Sequence, residues 1–572
     1  MARWIGLLPA VFDRMELEPH VSPLAEYVTG NVSRVLWILL AAVGVVLLIA
    51  CGNVSNLFLV RAEGRQQEFA MRTALGASRG RIARTLLSES VVLALGGGAL
   101  GLVLAQAAII ALRGNAPAEL PRLDEIGIHP SVLLFSLSIS LLSGALFGLV
   151  AVTRLGTPSS SVLKEGGRSS TAAAGQLRAR NLLVVAQVAL ALLLLIVSGL
   201  MIRTFIAMRQ VHPGFTGPEQ VQTFRVDIPG ALISNREQAA RTHQLIAERL
   251  ARVPGVASVG LSSSITMDGE NNGNPIYPEG FPLAENGIPP LRRFKSIGPG
   301  YVETMGNRMV AGRSVTWNEI FEQRPVIMIS EPLAREYWQS PARAIGKRVR
   351  SSSGQPWREV VGVVGPERDD GVNHPTTAIV YWPMLSESYE WRMMAYAVRS
   401  NRTGSPGFMR ELRQAVWSVN PNLPLDAVQT LDDIQASSMA QTSFAMVMLA
   451  IAASVALLLG VVGIYAVVAY VVAQRTREIG IRMALGARSL DVRAMFLRQA
   501  LWLTISGIAI GIGASLVVTR ALSALLFGVS RLDPLTYAAV SVVLAFVALL
   551  ATYVPARRAA RVDPVIALRA DV

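Results

Sequence analysis

Residues Glu68 to Ala77 read E-F-A-M-R-T-A-L-G-A, and Glu478 to Ala487 read E-I-G-I-R-M-A-L-G-A. Each copy follows a long apolar run, Val35 to Val60 and Ala445 to Val472. Each precedes an arginine-studded stretch and then two further apolar runs. A repeat on this scale constrains the fold more than any local pattern does, because it makes the chain one membrane module used twice.

Composition agrees. The 572 residues are 52% hydrophobic and 16% charged, with a mean hydropathy of +0.43; a soluble chain carries roughly 25% charged residues. Several uncharged runs of about 20 residues are long enough to cross a ~30 Å hydrocarbon core. The net charge of +14 does not argue for a nucleic-acid partner, because the arginines flank the apolar runs, where the positive-inside rule places them. Cys51 is the only cysteine, so neither a disulfide framework nor a cysteine metal site is available. Met1 to Gly30 lacks the plan of a signal peptide, which leaves membrane insertion to the internal helices.

The pattern predicts a polytopic α-helical membrane protein of about seven spans: Val35–Val60, Ser90–Leu112, Ser131–Thr153, Asn181–Ile202, Ser443–Tyr470, Gln499–Thr519 and Pro534–Val554. Four arginine clusters, around Arg61–Arg84, Arg154–Arg180, Arg475–Arg493 and Arg557–Arg569, fall on one side if the chain alternates, and that side is the cytoplasm. The long segment Phe205 to Gln441 then lies outside and reads as a folded α+β domain. It holds two strand–helix–strand units, Val221–Ile228, Asn235–Val253 and Val256–Leu261, then Met394–Arg399, Pro406–Val419 and Leu425–Thr430. Together they suggest a split βαβ layer. Between them come short strands of a β-rich insert (Val326–Ile329, Lys347–Arg350, Glu359–Val364, Ala378–Tyr381) and a helix, Glu331–Gln339. Asp268 to Pro290, rich in Gly, Asn and Pro, is expected to be a loop.

In each repeated motif Glu and Arg stand four apart on one helical face, Glu68 with Arg72 and Glu478 with Arg482. An exposed pair of this kind contributes only ~0.3–0.5 kcal/mol, so stability alone is a weak reason to repeat it. Ala74-Leu75 and Ala484-Leu485 form a small apolar ridge ending at Gly76 and Gly486, glycines suited to a helix stop; Ser78 and Ser489 are placed to begin the next helix. One copy is equally an ordinary capped surface helix. Two copies at equivalent cytoplasmic sites favour a docking surface. A weaker repeat, Ser161–Glu165 and Val565–Arg569, reads first as a basic juxtamembrane tail.

Other chemistry is missing from the sequence. No G-x-x-x-x-G-K-[ST] occurs, since Gly346-Lys347 is followed by Arg348, so no P-loop is available. No ionisable residue lies within a predicted span, which disfavours an ion-coupled carrier. Asn53, Asn56 and Gln187 read as interhelical hydrogen-bond glue rather than as a substrate site. The five histidines are scattered and form no metal spacing. No catalytic, cofactor or metal residues are assigned.

The Arg475–Ala487 segment resembles the cytoplasmic segment of FtsX-like ABC permeases of the MacB type. So do Pro299–Gly306, Ile345–Arg348 and Trp357–Gly365 of the outside domain, and Pro555 to Arg569 at the C-terminus. The duplicated form is similar to the acidobacterial duplicated permeases. The resemblance implies a chain shortened at its N-terminus, with 1–34 a remnant of a first outside domain and 35–170 a first three-helix FtsX-like module. Residues 171–204 would then lead into a MacB-like periplasmic core at 205–441, followed by a second module at 442–572.

It further implies an inner-membrane permease with no nucleotide site of its own, served by an ABC ATPase that binds ATP. Membrane lipids surround it, and a periplasmic adaptor or outer-membrane channel stands as a further partner. Closing of two ATPase subunits would move Glu68, Arg72, Gly76, Glu478, Arg482 and Gly486, and the helices would carry that motion outward to export or extract a substrate. The alternative is a non-transporting relay that controls an outside partner such as a cell-wall hydrolase.

Overall fold

The structure, a computed structural model, describes residues 32–65, 68, 71–72, 75, 77–115, 127–155, 170–270, 272–282, 289–352, 354–386, 391–474, 476–485 and 488–560. The expected remnant at 1–34 lies almost wholly outside these residues, as do Gly76, Gly486 and both copies of the weaker repeat. The chain forms two compact units: Ile206–Gln441, and Asn31–Phe205 together with Thr442–Val572. Helices of eight residues or more are numbered: α1 Val32–Gly64, α2 Arg79–Asn115, α3 Pro130–Leu155, α4 Ser170–Arg209, α5 Arg236–Ala251, α6 Glu331–Trp338, α7 Pro406–Trp417, α8 Leu431–Gln474, α9 Thr476–Ala484, α10 Ser489–Ala521 and α11 Pro534–Ala559.

In the helical unit, α1, α2, α4, α8, α10 and α11 each contain a stretch long and apolar enough to cross a membrane, and α3 contributes a shorter apolar segment, Pro130–Leu146. Six of the seven expected spans meet that length and composition among the described residues, and the third expected span falls on the shorter segment. Two apolar cores hold the bundle. Val188, Leu192 and Ile196 of α4 pack with Val467 and Val471 of α8, Phe496 of α10 and Ala548 of α11. On the other face of α4, Leu194 and Val197 pack with Ile49 of α1 and Leu449 and Ala453 of α8.

The repeat shows itself where α1 meets α8. Each residue of the second motif lies 410 positions after its counterpart, as Glu478 does after Glu68. On that spacing Asn53 and Gly463 are counterparts, and they meet: a methyl group on Gly463 would lie 2.5 Å from Asn53 Oδ1. Asn53 Nδ2 donates to the Leu459 carbonyl at 2.7 Å, interhelical glue of the kind expected. Gln187 of α4 closes the cluster, against Gly52 and Gly463.

The other unit is one 12-stranded sheet. Its strands are β1 Val221–Asp227, β2 Val256–Ser262, β3 Gly273–Pro275, β4 Tyr277–Pro278, β5 Leu291–Ile297, β6 Met309–Gly312, β7 Val326–Ser330, β8 Arg348–Arg350, β9 Arg358–Val364, β10 Ile379–Pro383, β11 Met393–Ser400 and β12 Asp426–Thr430. The main path runs β12-β1-β11-β2-β5-β10-β7-β9-β8-β4. Its first four strands are the expected split βαβ layer, with β1 and β2 separated by antiparallel β11. Phe224, Tyr396, Ile246, Phe408 and Leu412 form that lobe's core under α5 and α7. Ile327, Ile329, Val360, Val363 and Trp382 form a second core under α6.

One expectation needs correction: Asp268–Pro290 is not wholly loop, since β3 and β4 lie within it. The expected strands also omit β5, which joins the β-rich insert to the first lobe in one sheet. The reason is visible in β5 itself, L-R-R-F-K-S-I, whose cations hide a strand that buries Lys295.

The two lobes meet edge to edge through a single register pair, Ser262 with Ile297. A buried polar cluster reinforces that seam. Lys295 Nζ of β5 lies 2.6 Å from Asp369 Oδ1 and 3.1 Å from Glu367 Oε2. Glu367 also accepts from Thr266 Oγ1 at 2.8 Å and from Tyr381 OH at 2.7 Å. Burial alone would push the Lys295 pKa down; Asp369 and Glu367 outweigh it and hold the ammonium well above its ordinary range.

His243 in α5 is fully buried. Its Nε2 donates to the Arg392 carbonyl at 2.9 Å, which leaves Nδ1 to accept from Tyr396 OH at 2.8 Å. Burial lowers its pKa to about 4 from 6.5, against the smaller opposing effect of that carbonyl. Between these values the unfolded chain binds a proton that the folded domain excludes, so stability falls as the pH drops from 6.5 to about 4. With its own two cores, segment 206–441 should fold alone with one cooperative transition. It should lose roughly 3 kcal/mol over that interval, and His243→Gln should flatten the loss. A profile identical in wild type and His243→Gln would refute the assignment.

Candidate coupling surface

The described residues of the two motifs lie just beyond α1 and in and at the end of α9. In the second copy, Arg482 Nη2 pairs with Glu478 Oε1 at 2.5 Å across one helical turn, both side chains about half exposed. In the first, Arg72 Nη2 pairs with Glu68 Oε1 at 2.6 Å. There Glu68 also accepts from Arg65 Nε at 2.7 Å, and Arg65 Nη1 reaches Glu89 Oε1 of α2 at 2.9 Å. The hydrogen bond from Arg65 holds the Glu68 carboxyl below its ordinary range. Position 499, the counterpart of Glu89, is Gln, so the first copy carries an acid–base link to α2 that has no acidic equivalent in the second.

Helix geometry then places apolar residues on an adjoining face. Leu75 N–H donates to Met71 C=O and Leu485 N–H to Ile481 C=O, both at 3.0 Å. Met71 with Leu75, and Ile481 with Leu485, are therefore neighbours one turn apart. All four are exposed, Leu75 to 88% and Leu485 to 83%. Ile479, one position from Glu478, is buried and anchors α9 in the bundle core. The helix is thus pinned on one side and presents two apolar residues on the other, with a Glu–Arg pair beside them. Leu75 and Leu485 stand out in the motif itself; Met71 and Ile481 join them through i, i+4 spacing, a signal present in the sequence but meaningful only once their exposure is known.

The residue before the next helix differs between the copies, Ser78 in the first and Arg488 in the second. Ala77 N–H donates to Arg72 C=O at 2.9 Å, a 6→1 bond of the kind that closes a helix. Ser78 then precedes α2, its carbonyl accepting from Arg81 N–H at 2.9 Å. In the second copy, Arg488 takes the cap position and Ser489 is the first helical residue. Asp491 accepts there from Arg488 N–H at 3.3 Å, which displaces the expected role of Ser489 with a carboxylate favoured in a first turn.

Residues 40–165 and 450–564 match the FtsX-like permease C-terminal family, and residues 182–424 match the MacB-like periplasmic core domain. The macrolide export ATP-binding/permease protein MacB of Azoarcus sp. (strain BH72) is 39% identical over 134 residues, 22% of this chain and 19% of that protein. The pyoverdine export ATP-binding/permease protein PvdT of Pseudomonas putida is 39% identical over 143 residues, 24% of this chain and 21% of that one. MacB of Psychrobacter arcticus is 25% identical over 285 residues, 48% and 42% of the two chains. The chain therefore spans less than half the length of these relatives. The crystal structure of the periplasmic region of MacB from Actinobacillus actinomycetemcomitans overlaps 39% of this chain and 94% of its own, at 15% identity and a TM-score of 0.27. The chain is a multi-pass inner-membrane protein with a periplasmic segment.

Proposed function

We propose that this chain, an FtsX-like permease with a MacB-like periplasmic core domain, is the membrane subunit of an ABC transporter. It takes up the work of a separate ATPase through Glu68, Arg72, Gly76, Glu478, Arg482 and Gly486, and uses it to export or extract a substrate on the periplasmic side. The observation that carries this reading is the doubled exposed ridge, Met71–Leu75 and Ile481–Leu485, each beside a Glu–Arg pair. A paired ATPase presents two equivalent grooves, and a short helix with two apolar residues one turn apart suits such a groove. The relatives' names combine ATP binding with export, and on this reading an ATPase outside residues 1–572 binds and hydrolyses ATP.

Motion at the two ridges has a short path into the bundle. α9 is anchored by Ile479 in the core shared by α4, α8, α10 and α11, and the first ridge follows α1, which packs on α4 and α8. Affinity purification of the full chain in mild detergent from its own membranes should recover an ATPase with a P-loop; repeated recovery of the chain without one would sink the proposal. Topology is tested separately in a Cys51→Ala background. Ser352→Cys should react with an impermeant maleimide on spheroplasts and Ser78→Cys only after lysis. Labelling of Ser78→Cys from outside would refute the arrangement.

A further inference from the structure

The two motifs are tied into the bundle by different chemistry. In the first, Arg65 joins Glu68 to Glu89 of α2, and the residue in the second copy that corresponds to Glu89 is Gln499. The second copy has a tie of another kind, at the end of α8. The guanidinium carbon of Arg180, on α4, lies 3.7 Å from the ring centroid of Tyr470. Tyr470 stands one turn before Gln474, the last residue of α8, and Gln474 Nε2 donates to Tyr470 OH. α9 begins two residues further on, at Thr476. In the first copy the counterparts of Tyr470 and Gln474 are Val60 and Gly64, which offer neither a ring nor an amide.

A basic residue at the cytoplasmic end of a span ordinarily anchors topology, its cation reaching out to headgroups and water. Arg178 fits that role and is exposed. Arg180 does not, because it is only 2% exposed and its cation is held inside the bundle. A guanidinium over an aromatic ring is attracted by the ring quadrupole, more strongly where water is excluded. Its planar shape also fixes an orientation that a lysine ammonium would leave free. We infer, resting on the coupling role proposed above, that Arg180 is the positioning residue of the second motif. Through Tyr470 it fixes the last turn of α8, and with it the direction in which α9 leaves and presents Ile481 and Leu485. The two motifs then address different helices. A displacement at the first passes to α2 through Glu89. One at the second passes to α4, the helix whose last residues begin the periplasmic unit.

The test uses the full chain in detergent, without an ATPase, in the Cys51→Ala background. A nitroxide is attached to Leu485→Cys on the second ridge or, in a separate sample, to Leu75→Cys on the first. Arg180→Met should raise the ratio of mobile to immobile label on the second ridge about tenfold and leave the first unchanged. Tyr470→Leu should do the same. Tyr470→Phe keeps the ring and should stay near wild type, since the Gln474 that its hydroxyl serves is exposed. Should Arg180→Met fold poorly, Tyr470→Leu leaves the buried cation in place and carries the test. Equal loosening of both ridges would make Arg180 a general brace of the bundle. Unchanged mobility on the second ridge would mean that Tyr470 does not govern α9. Tyr470→Phe as loose as Tyr470→Leu would make the hydroxyl the tie. Each of these results overturns the proposal. With the ATPase recovered as described above, Arg180→Met and Tyr470→Leu should still bind it and lose most of the stimulation of ATP hydrolysis; full stimulation by both overturns the proposal as well. If no ATPase is recovered, the coupling role fails, while label mobility still decides whether Arg180 positions α9.

Discussion

Lys295→Met should lower the stability of the periplasmic domain by roughly 3–5 kcal/mol, the usual cost of leaving a buried charge without its partner. For a domain of this size that corresponds to a fall in Tm on the order of 10 °C. The substitution removes the one buried ammonium between Asp369 and Glu367. Two carboxylates then remain in a site that water does not reach, with Arg293 3.5 Å from Asp369 as the remaining close cation. Glu367 keeps its donors, Thr266, Tyr381 and Asn307, so the strain falls mainly on Asp369, whose carboxyl burial already pushes above its ordinary range. Lys295→Met with Asp369→Leu should therefore be less damaging than the sum of the two single changes. Because the lobes share one register pair at this seam, the first region to lose hydrogen-exchange protection in Lys295→Met should be β5 and residues 365–372. Unchanged Tm and protection would show that the cluster is an ornament of the seam and not its clamp.

That cluster also marks where reading the sequence stopped short. The membrane helices were legible because their signal, a long run without charge, is the physical condition for crossing lipid. The split βαβ layer was legible because β1, β11 and α5 each keep one apolar face. β5 was not, since Arg292, Arg293 and Lys295 make it look like a solvated loop, and only partners distant in sequence, Glu336, Asp370 and Glu367, turn those charges into buried or half-buried pairs. The short β3 and β4 carry glycine, asparagine and proline, and the sheet beside them overrides that local preference. At the motif, the Glu–Arg pairs followed from i, i+4 spacing alone. The contact of Asn53 with its own counterpart Gly463 did not, because a repeat says that two segments are alike and nothing about whether they touch.

On the proposed coupling surface, two effects differ in size. The Glu–Arg pairs are half exposed, and removing such a pair is worth only ~0.3–0.5 kcal/mol. Leu75 and Leu485 are exposed to 88% and 83%, and an apolar side chain that fills a partner's pocket contributes about 2 kcal/mol or more as a hot spot. Leu75→Glu and Leu485→Glu should each weaken association with the ATPase by roughly 30-fold, whereas Arg482→Ala should change it about twofold. Neither leucine variant should reduce the yield of folded chain, since both side chains already face outward. Ile479→Ala is the contrasting control: it removes the buried anchor of α9 and should lower stability together with association. The first copy should tolerate loss of its ridge less well in one respect, because Arg65 ties Glu68 to Glu89 of α2, so a shift imposed at Leu75 reaches the next membrane helix through an ion-pair link. Glu89→Gln, which gives the first copy the residue found at position 499, should then leave ATPase association intact while reducing the stimulation of ATP hydrolysis by the permease. If both leucine variants bind and stimulate like wild type, the motifs are capped surface helices and the coupling surface lies elsewhere.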